Sequence, residues 1–212
     1  MQLLPLQAVL SRLRGDWIVL TTTIDRTIDV AFEPLRGRPR VDGAAALVSN
    51  LADFGFVWVL LALLKGRRRG PDRRRAVVAL GSAGFSSLFV SRMVKSSFER
   101  RRPDDHLSAA VRAPTSSSFP SGHTLAAFCT AFVLAETERQ TTAYVGFAGA
   151  VAASRIHLRA HHPTDVLGGA VIGSCLGLVL RPAVNAVTPG RRHRPAAVSG
   201  GMSRRHNRLK WI

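Results

Sequence analysis

The chain alternates long apolar runs with blocks of arginine, and that segregation narrows its possible architectures to one class. Residues 44–64 read AAALVSNLADFGFVWVLLALL, and further apolar runs cover 76–94, 123–135, 142–156 and 166–180. The densest basic blocks lie at 65–75 and 191–210. A hydrophobic content of 46% beside a formal net charge of +17 conflicts with an ordinary soluble domain. It agrees with an all-α integral-membrane bundle whose helices carry basic flanks. The only lysines are Lys65, Lys95 and Lys210, and there is one tyrosine. Nucleic-acid binders interleave aromatics with their cations for stacking, so no nucleic-acid partner is expected. The basic blocks are expected to mark the cytoplasmic side and to contact anionic lipids.

About five transmembrane spans follow from the five runs. The first, 44–64, is long enough for a hydrocarbon core of roughly 30 Å. Asn50 and Asp53 lie inside it and are expected to face the bundle, since polar groups are costly in lipid. The fifth is rich in glycine, which permits close helix packing. Placing 65–75 in the cytoplasm puts the polar loop 95–120 and the segment 155–165 together on the extracytoplasmic face. The basic tail then returns to the cytoplasm. The expectation is a multi-pass cell-membrane protein.

Three regions are expected. Residues 1–43 form an amphipathic, interfacial segment, with Leu3, Leu6, Leu10 and Leu13 at helical spacing. Residues 17–32 carry Asp25, Arg26 and Asp29, too polar for an easy span; a helix packed on the soluble side of the bundle is the competing expectation. RGRPR at 36–40 reads as a loop. Residues 44–181 form the transmembrane domain, and 182–212 a basic, disordered cytoplasmic tail. Cys129 and Cys175 sit in apolar runs and read as small buried residues. MQLLPLQAVL at the start lacks a basic leader and a cleavage site, so no removable signal peptide is expected.

Three stretches carry chemistry. They are KSSFERRRP at 95–103, PSGH at 120–123 and SRIHLRAHHPTD at 154–165. Each ends an apolar run on the same expected face. Lys95, Arg102 and Arg155 are fixed cations suited to phosphoryl oxygens, and phosphoryl transfer depends mainly on positioning and charge stabilisation. Ser121 offers a hydroxyl, and Gly122 an N–H that a ligand can approach closely. His123 opens the third run, where helix N–H groups favour an anion. His161 with Asp165 supplies a nucleophilic imidazole and the carboxylate that orients it. His157 and His162 compete as nucleophiles on chemistry alone. His157, His161 and Asp165 are also spaced as zinc ligands on one helix face would be, although Pro163 argues for a helix start between them.

Together these stretches resemble the type 2 phosphatidic acid phosphatase (PAP2) and vanadium haloperoxidase superfamily. Its pattern is K-x6-R-P, then P-S-G-H, then S-R-x5-H-x3-D, and every fixed position is present in order. The resemblance covers about residues 53–180. It implies a helical core and catalysis without metal or other cofactor. It implies that Lys95, Arg102 and Arg155 hold the phosphoryl oxygens, assisted by Ser121 and Gly122. His161 would form a phosphohistidine, His123 would act as general acid, and Asp165 would orient His161. His162 stands where relatives often have an aromatic, so it is expected to shape the pocket.

The expected activity is hydrolysis of a lipid phosphomonoester or diphosphate. Polyprenyl diphosphate, phosphatidic acid and phosphatidylglycerol phosphate are the expected substrates; a soluble sugar phosphate is also compatible. Two other classes fit part of the pattern. A vanadate-dependent haloperoxidase would use nearly the same anion cradle, but its branch of the superfamily is soluble. A non-enzymatic lipid-binding protein would leave the intact catalytic set without a use. His106, His157, Arg100, Arg101 and Arg112 are expected to be solvated, locally packed or lipid-facing.

Overall fold

A computed structural model describes residues 6–52, 56–66, 71–103 and 117–187. All regular structure in them is helical. α1 spans Leu6–Phe32 and runs into a 3-10 turn, Glu33–Leu35. α2 (Pro39–Ala52), α3 (Phe56–Gly66), α4 (Pro71–Ser96), α5 (Gly122–Leu134), α6 (Glu138–His157) and α7 (Pro163–Val187) follow.

α5 is the centre of the bundle. Leu125, Ala127, Cys129, Ala131, Val133 and Leu134 on it are all buried, and it packs against α4, α6 and α7. Its closest partner is α7, for a reason visible in the residues. Gly169, Gly173 and Gly177 recur every four residues, so they stack on one face of α7. A Cβ on Gly173 would lie 2.3 Å from the Leu125 carbonyl oxygen, and one on Gly177 would lie 2.7 Å from that of Cys129. Backbone therefore meets backbone along this seam. Because the seam starts at Gly169, it draws the first turn of α7 against the first turn of α5. The Ser121 N–H donates to the Asp165 carbonyl at 3.0 Å.

Within the apolar run expected as the first span, 44–64, the described residues form the end of α2 and most of α3. α2 packs along α6 in the opposite direction, and α3 packs chiefly against α4. Asp42 meets His157, Ser49 meets Arg155, and Trp58 packs edge-on against Phe147 and Tyr144. Fourteen and eleven residues rise only about 21 and 16 Å, so neither helix alone matches a bilayer core. Asn50 is exposed and Ser49 is the buried polar residue, because one residue on a helix turns about 100°. Asp53 lies outside the described residues. Among these, α4 over Arg73–Ser96 and α7 over Pro163–Val187 are long and apolar enough to cross a membrane, and α5 is a shorter apolar helix.

Further expectations are corrected. Pro39 and Arg40 begin α2 instead of continuing a loop, with proline at the first helical position where it lacks no needed hydrogen bond. α7 continues through Pro182 to Val187, six residues past the expected end of the bundle. Burial of Val184 and a bond from Arg75 to Asn185 compensate the helix-breaking tendency of proline. Cys129 is buried but Cys175 is exposed, on the side of α7 turned away from α5. α1 is helical from Leu6, while the side chains of the expected leucine stripe, Leu3 included, lie outside the described residues.

Candidate active site

The eight expected site residues come from three stretches of the chain, all at one end of the bundle. Lys95 is in the last turn of α4 and Arg102 in the extended segment after it. Ser121 is the N-cap of α5, with Gly122 and the half-buried His123 as its first two residues. Arg155 is in the last turn of α6, His161 in the linker, and Asp165 in the first turn of α7.

Helix ends are natural places for this chemistry because their backbone groups and fixed exit angles aim side chains at a common point. The linker between α6 and α7 is also tightly wound. The Arg155 carbonyl accepts from the N–H of Ala160 at 3.1 Å and of His161 at 3.3 Å. Arg159 takes the left-handed conformation, with φ of 50°, which costs a non-glycine residue about 1 kcal/mol. Its side chain is held by Glu33 at 2.8 Å, an offset supplied from beyond the linker.

His161 is buried, and its two nitrogens face different groups. Nε2 is 3.0 Å from Arg102 Nη1. A guanidinium only donates, so Nε2 accepts and the neutral ring carries its proton on Nδ1. Nδ1 faces Ser118 Oγ at 3.5 Å and Asp165 Oδ2 at 3.8 Å. The second distance is an ion-pair separation beyond hydrogen-bond range. Ser118 stands between the two, donating to Asp165 Oδ2. Burial pushes the His161 imidazole down from 6.5 to about 3. Asp165 opposes that shift, and the Arg102 and Arg155 cations add to it. The lone pair on Nε2 is thus available across the neutral range, once Arg102 is drawn away.

The cations are arranged for an anion. Arg102 Nη1 also donates to the Ala160 carbonyl at 2.8 Å, but its Nε and Nη2 are buried without a hydrogen-bond partner among the described residues. Buried donors of this kind are costly unless something fills the gap. Arg155 is fully buried and donates to Ser49. Lys95 is near enough to Arg102, Arg155 and Asp165 to feel their charges. It lines an open cavity of about 460 Å³ with Leu88, Ser91, Arg92, Ser96 and Ser117. Gly122 backs onto this wall: a Cβ there would sit 3.3 Å from Ser91 Oγ. Ser121 Oγ accepts from Thr124 at 3.0 Å.

The competing histidines are engaged elsewhere. His157 Nε2 lies 2.7 Å from Asp42 Oδ1, and His162 Nε2 is 3.2 Å from the Arg101 carbonyl. α6 ends at His157 and α7 begins at Pro163, so His157, His161 and Asp165 do not share a helix face. Among the described residues no group of three or more His, Cys, Asp or Glu is placed to hold a metal ion. His106 and Arg112 lie outside the described residues.

Several residues around the site had no signal in the sequence pattern. Ser118 bridges His161 and Asp165. Ser49, on α2, holds Arg155. Arg36, expected in a loop, has its side chain buried to 5% exposure and bonds the Ile156 and His157 carbonyls at 3.2 and 3.1 Å. Arg100, expected to be solvated or lipid-facing, donates to Asp165 Oδ1 at 2.5 Å. It also pairs with Asp25 of α1. All of these depend on contacts between distant segments.

Known proteins resemble the chain over much of its length. The family model described as PAP2 superfamily matches residues 74–189. A protein of Mycobacterium tuberculosis (strain CDC 1551 / Oshkosh) named decaprenylphosphoryl-5-phosphoribose phosphatase is 31% identical over 181 residues, covering 84% of this chain and 94% of that protein. One of the same name from Mycolicibacterium smegmatis is 32% identical over 136 residues, covering 64% and 74%. Among solved structures, a transmembrane PAP2 type phosphatidylglycerolphosphate phosphatase from Bacillus subtilis superposes with a TM-score of 0.61 at 23% identity, covering 85% of this chain and 98% of that one. Aquifex aeolicus LpxE gives 0.54 at 24% identity, covering 76% and 93%.

Proposed function

Because the chain belongs to the PAP2 superfamily and is a phosphatase, we propose that it is a membrane enzyme that removes the terminal phosphate from a lipid-linked phosphomonoester through a phosphohistidine on His161. The observation that carries the reading is the pairing of His161 Nε2 with Arg102, whose remaining buried donors await an anion. A phosphoryl group entering between Lys95, Arg102 and Arg155 satisfies those donors. It also draws Arg102 off the Nε2 lone pair, so binding and exposure of the nucleophile are one event.

The chemistry then needs two steps. The Nε2 lone pair forms the N–P bond while the bond from phosphorus to the lipid-side oxygen breaks, and His123 gives that oxygen a proton. Water next attacks phosphorus, its proton passing to His123, and the N–P bond breaks to release inorganic phosphate. Ser121 and the Gly122 N–H donate to the phosphoryl oxygens as charge builds on them. The Nδ1 proton remains toward Ser118 and Asp165, which stabilise the imidazolium character of the intermediate.

The placement in the membrane is part of the proposal. α2 with α3, then α4, α5, α6 and α7 make five crossings, with 44–181 as the catalytic domain. The basic block 65–75 joins the end of α3 to the start of α4, opposite the site. Its preference for the cytoplasm supports a site on the extracytoplasmic face. α1, in residues 1–43, is interfacial, and its Asp25 and Asp29 engage the site end. The basic residues at 191–210 serve as a cytoplasmic tail that contacts anionic lipid. The substrate is a lipid carrying a sugar or glycerol phosphate, and the names of the relatives favour a polyprenylphosphoryl phosphopentose.

The test is phosphate release by detergent-purified protein from polyprenylphosphoryl-5-phosphoribose, phosphatidylglycerol phosphate, polyprenyl diphosphate, phosphatidic acid and glucose 6-phosphate, with EDTA, beside His161→Ala. Release from a lipid substrate that survives EDTA and vanishes in the variant supports the reading. Release that persists in His161→Ala, or is confined to glucose 6-phosphate, refutes it.

A further inference from the structure

α1 reaches the site through one carboxylate. Asp25 is buried, at 8% exposure. Its Oδ1 accepts from the backbone N–H of Thr164 at 2.7 Å, in the first turn of α7, and its Oδ2 pairs with Arg100 Nη2. The other terminal nitrogen of Arg100, Nη1, donates to Thr164 Oγ1 at 2.7 Å and to Asp165 Oδ1 at 2.5 Å. Arg100 therefore stands between two acids, one on α1 and one beside the nucleophile.

The consequence follows from the donors on Asp165. Its Oδ2, the oxygen on the His161 side, accepts from Ser118 Oγ and from the His162 N–H at 2.9 Å. Its Oδ1 accepts from Arg100. The carboxylate is a planar group on one rotatable bond, so a donor on each oxygen fixes its plane. Without Arg100, Oδ1 is a buried acceptor without its charged donor, and the group gains by turning toward whichever donors remain. Ser118 and His161 Nδ1 would then lose their alignment. A guanidinium suits this place because its fork reaches both acids at once, which one ammonium does not.

We propose that Arg100, held by Asp25, is a positioning residue for the reaction: it fixes the Asp165 carboxylate from the side opposite His161. The N-terminal helix is in that way part of the catalytic apparatus. The matched family model begins at residue 74, so Asp25 lies outside the shared pattern. The inference rests on His161 and Asp165 having the roles given above.

The experiment measures kcat and KM for a lipid phosphomonoester with Arg100→Gln, Arg100→Lys, Asp25→Asn and the Arg100→Gln/Asp25→Asn double variant, beside His161→Ala. Asparagine at 25 keeps an acceptor for the Thr164 N–H, so Asp25→Asn removes the ion pair while sparing the cap. Arg100→Gln is expected to lower kcat by about 10- to 100-fold with KM within about 2-fold, the size of effect that small misplacements of reacting groups produce. Asp25→Asn is expected to lower kcat by about 3- to 10-fold, and the double variant to match Arg100→Gln alone. Arg100→Lys is expected to recover part of kcat. A rise in KM at constant kcat would make Arg100 a substrate contact and overturn the proposal. So would multiplying effects in the double variant, or full activity in Arg100→Gln while His161→Ala is inactive. If Arg100→Gln does not yield folded protein, Asp25→Asn and Arg100→Lys decide the matter by the same split between kcat and KM. Activity retained in His161→Ala would overturn the nucleophile itself, and this inference with it.

Discussion

Two arginines at opposite ends of the bundle, Arg75 buried and Arg102 half-buried, show what separates a structural cation from a functional one. Arg75, near the start of α4, donates to Asn185 and the Ala135 carbonyl, and lies 3.7 Å from Glu136. Its charge is answered within the fold, and it ties α4 to the end of α7 and the turn after α5. Arg102 bonds a carbonyl and an imidazole, and no carboxylate of the described residues lies within ion-pair distance of it. Among the described residues two of its nitrogens have no hydrogen-bond partner, against one, Nε, of Arg75, which Glu136 faces as an ion pair. A buried cation costs several kcal/mol to desolvate, so a fold that leaves one unanswered is keeping it for an anion that arrives later. Arg75 contributes to stability and Arg102 is kept at the expense of it.

That contrast can be broken at several points. The largest effect is expected at the group Arg102 faces: His161→Ala should lower kcat by on the order of 10⁴-fold or more, as loss of a covalent nucleophile does. Arg102→Met should lower kcat/KM by about 10²- to 10³-fold, as loss of a charge-stabilising donor does. It should leave thermal stability in detergent unchanged or raised. Arg75→Met should do the reverse. It should cost about 1–3 kcal/mol of stability by thermal unfolding, with kcat/KM of the folded protein within about 2-fold of the parent. If Arg102→Met is the destabilised variant, the distinction between the two ends fails.

Smaller effects sharpen the picture. Gly173→Ala places a Cβ 2.3 Å from the Leu125 carbonyl, and should cost about 1–3 kcal/mol with a lowered kcat, since the same seam sets Asp165 beside Ser121. The pH dependence of stability carries a further signature. In the unfolded chain His161 takes up a proton near pH 6.5, and in the fold only near 3. The unfolded state binds more protons between those values. The contribution of His161 is therefore complete above pH 6.5 and is lost as pH falls, by about 1.4 kcal/mol per pH unit at most. Melting curves of the parent and His161→Gln between pH 7 and 4.5 should diverge in that direction; parallel curves would show an exposed or already protonated imidazole.

The chemistry was legible in the sequence to a greater degree than its support was. Lys95, Arg102, Ser121, Gly122, His123, Arg155, His161 and Asp165 sit at the ends of apolar runs. Spacing within one short segment is enough to mark such groups. Ser49, Asp25 and Arg36 act across more than a hundred residues of chain, on Arg155, Thr164 and the Ile156 carbonyl. Nothing local to them distinguishes a partner of the site from a solvated residue. Arg100 was misjudged for the same reason: in ERRRP three arginines look alike until the fold gives each a different neighbour. Among helices, composition identified α4 through α7. It placed Asn50 inside, where Ser49 belongs, since which of two adjacent residues faces the core depends on the helix's rotation.

The central claim is that phosphate passes through His161. The most direct test is to mix a lipid phosphomonoester carrying a radiolabelled terminal phosphate with the parent protein, quench in alkali, where phosphohistidine survives, and map the label by peptide. The account predicts transient label on the peptide containing His161, lost in His161→Ala and slowed in forming in Arg102→Met. Label on His123 or His162, or release of labelled phosphate with no phosphoenzyme at any time point, would contradict it.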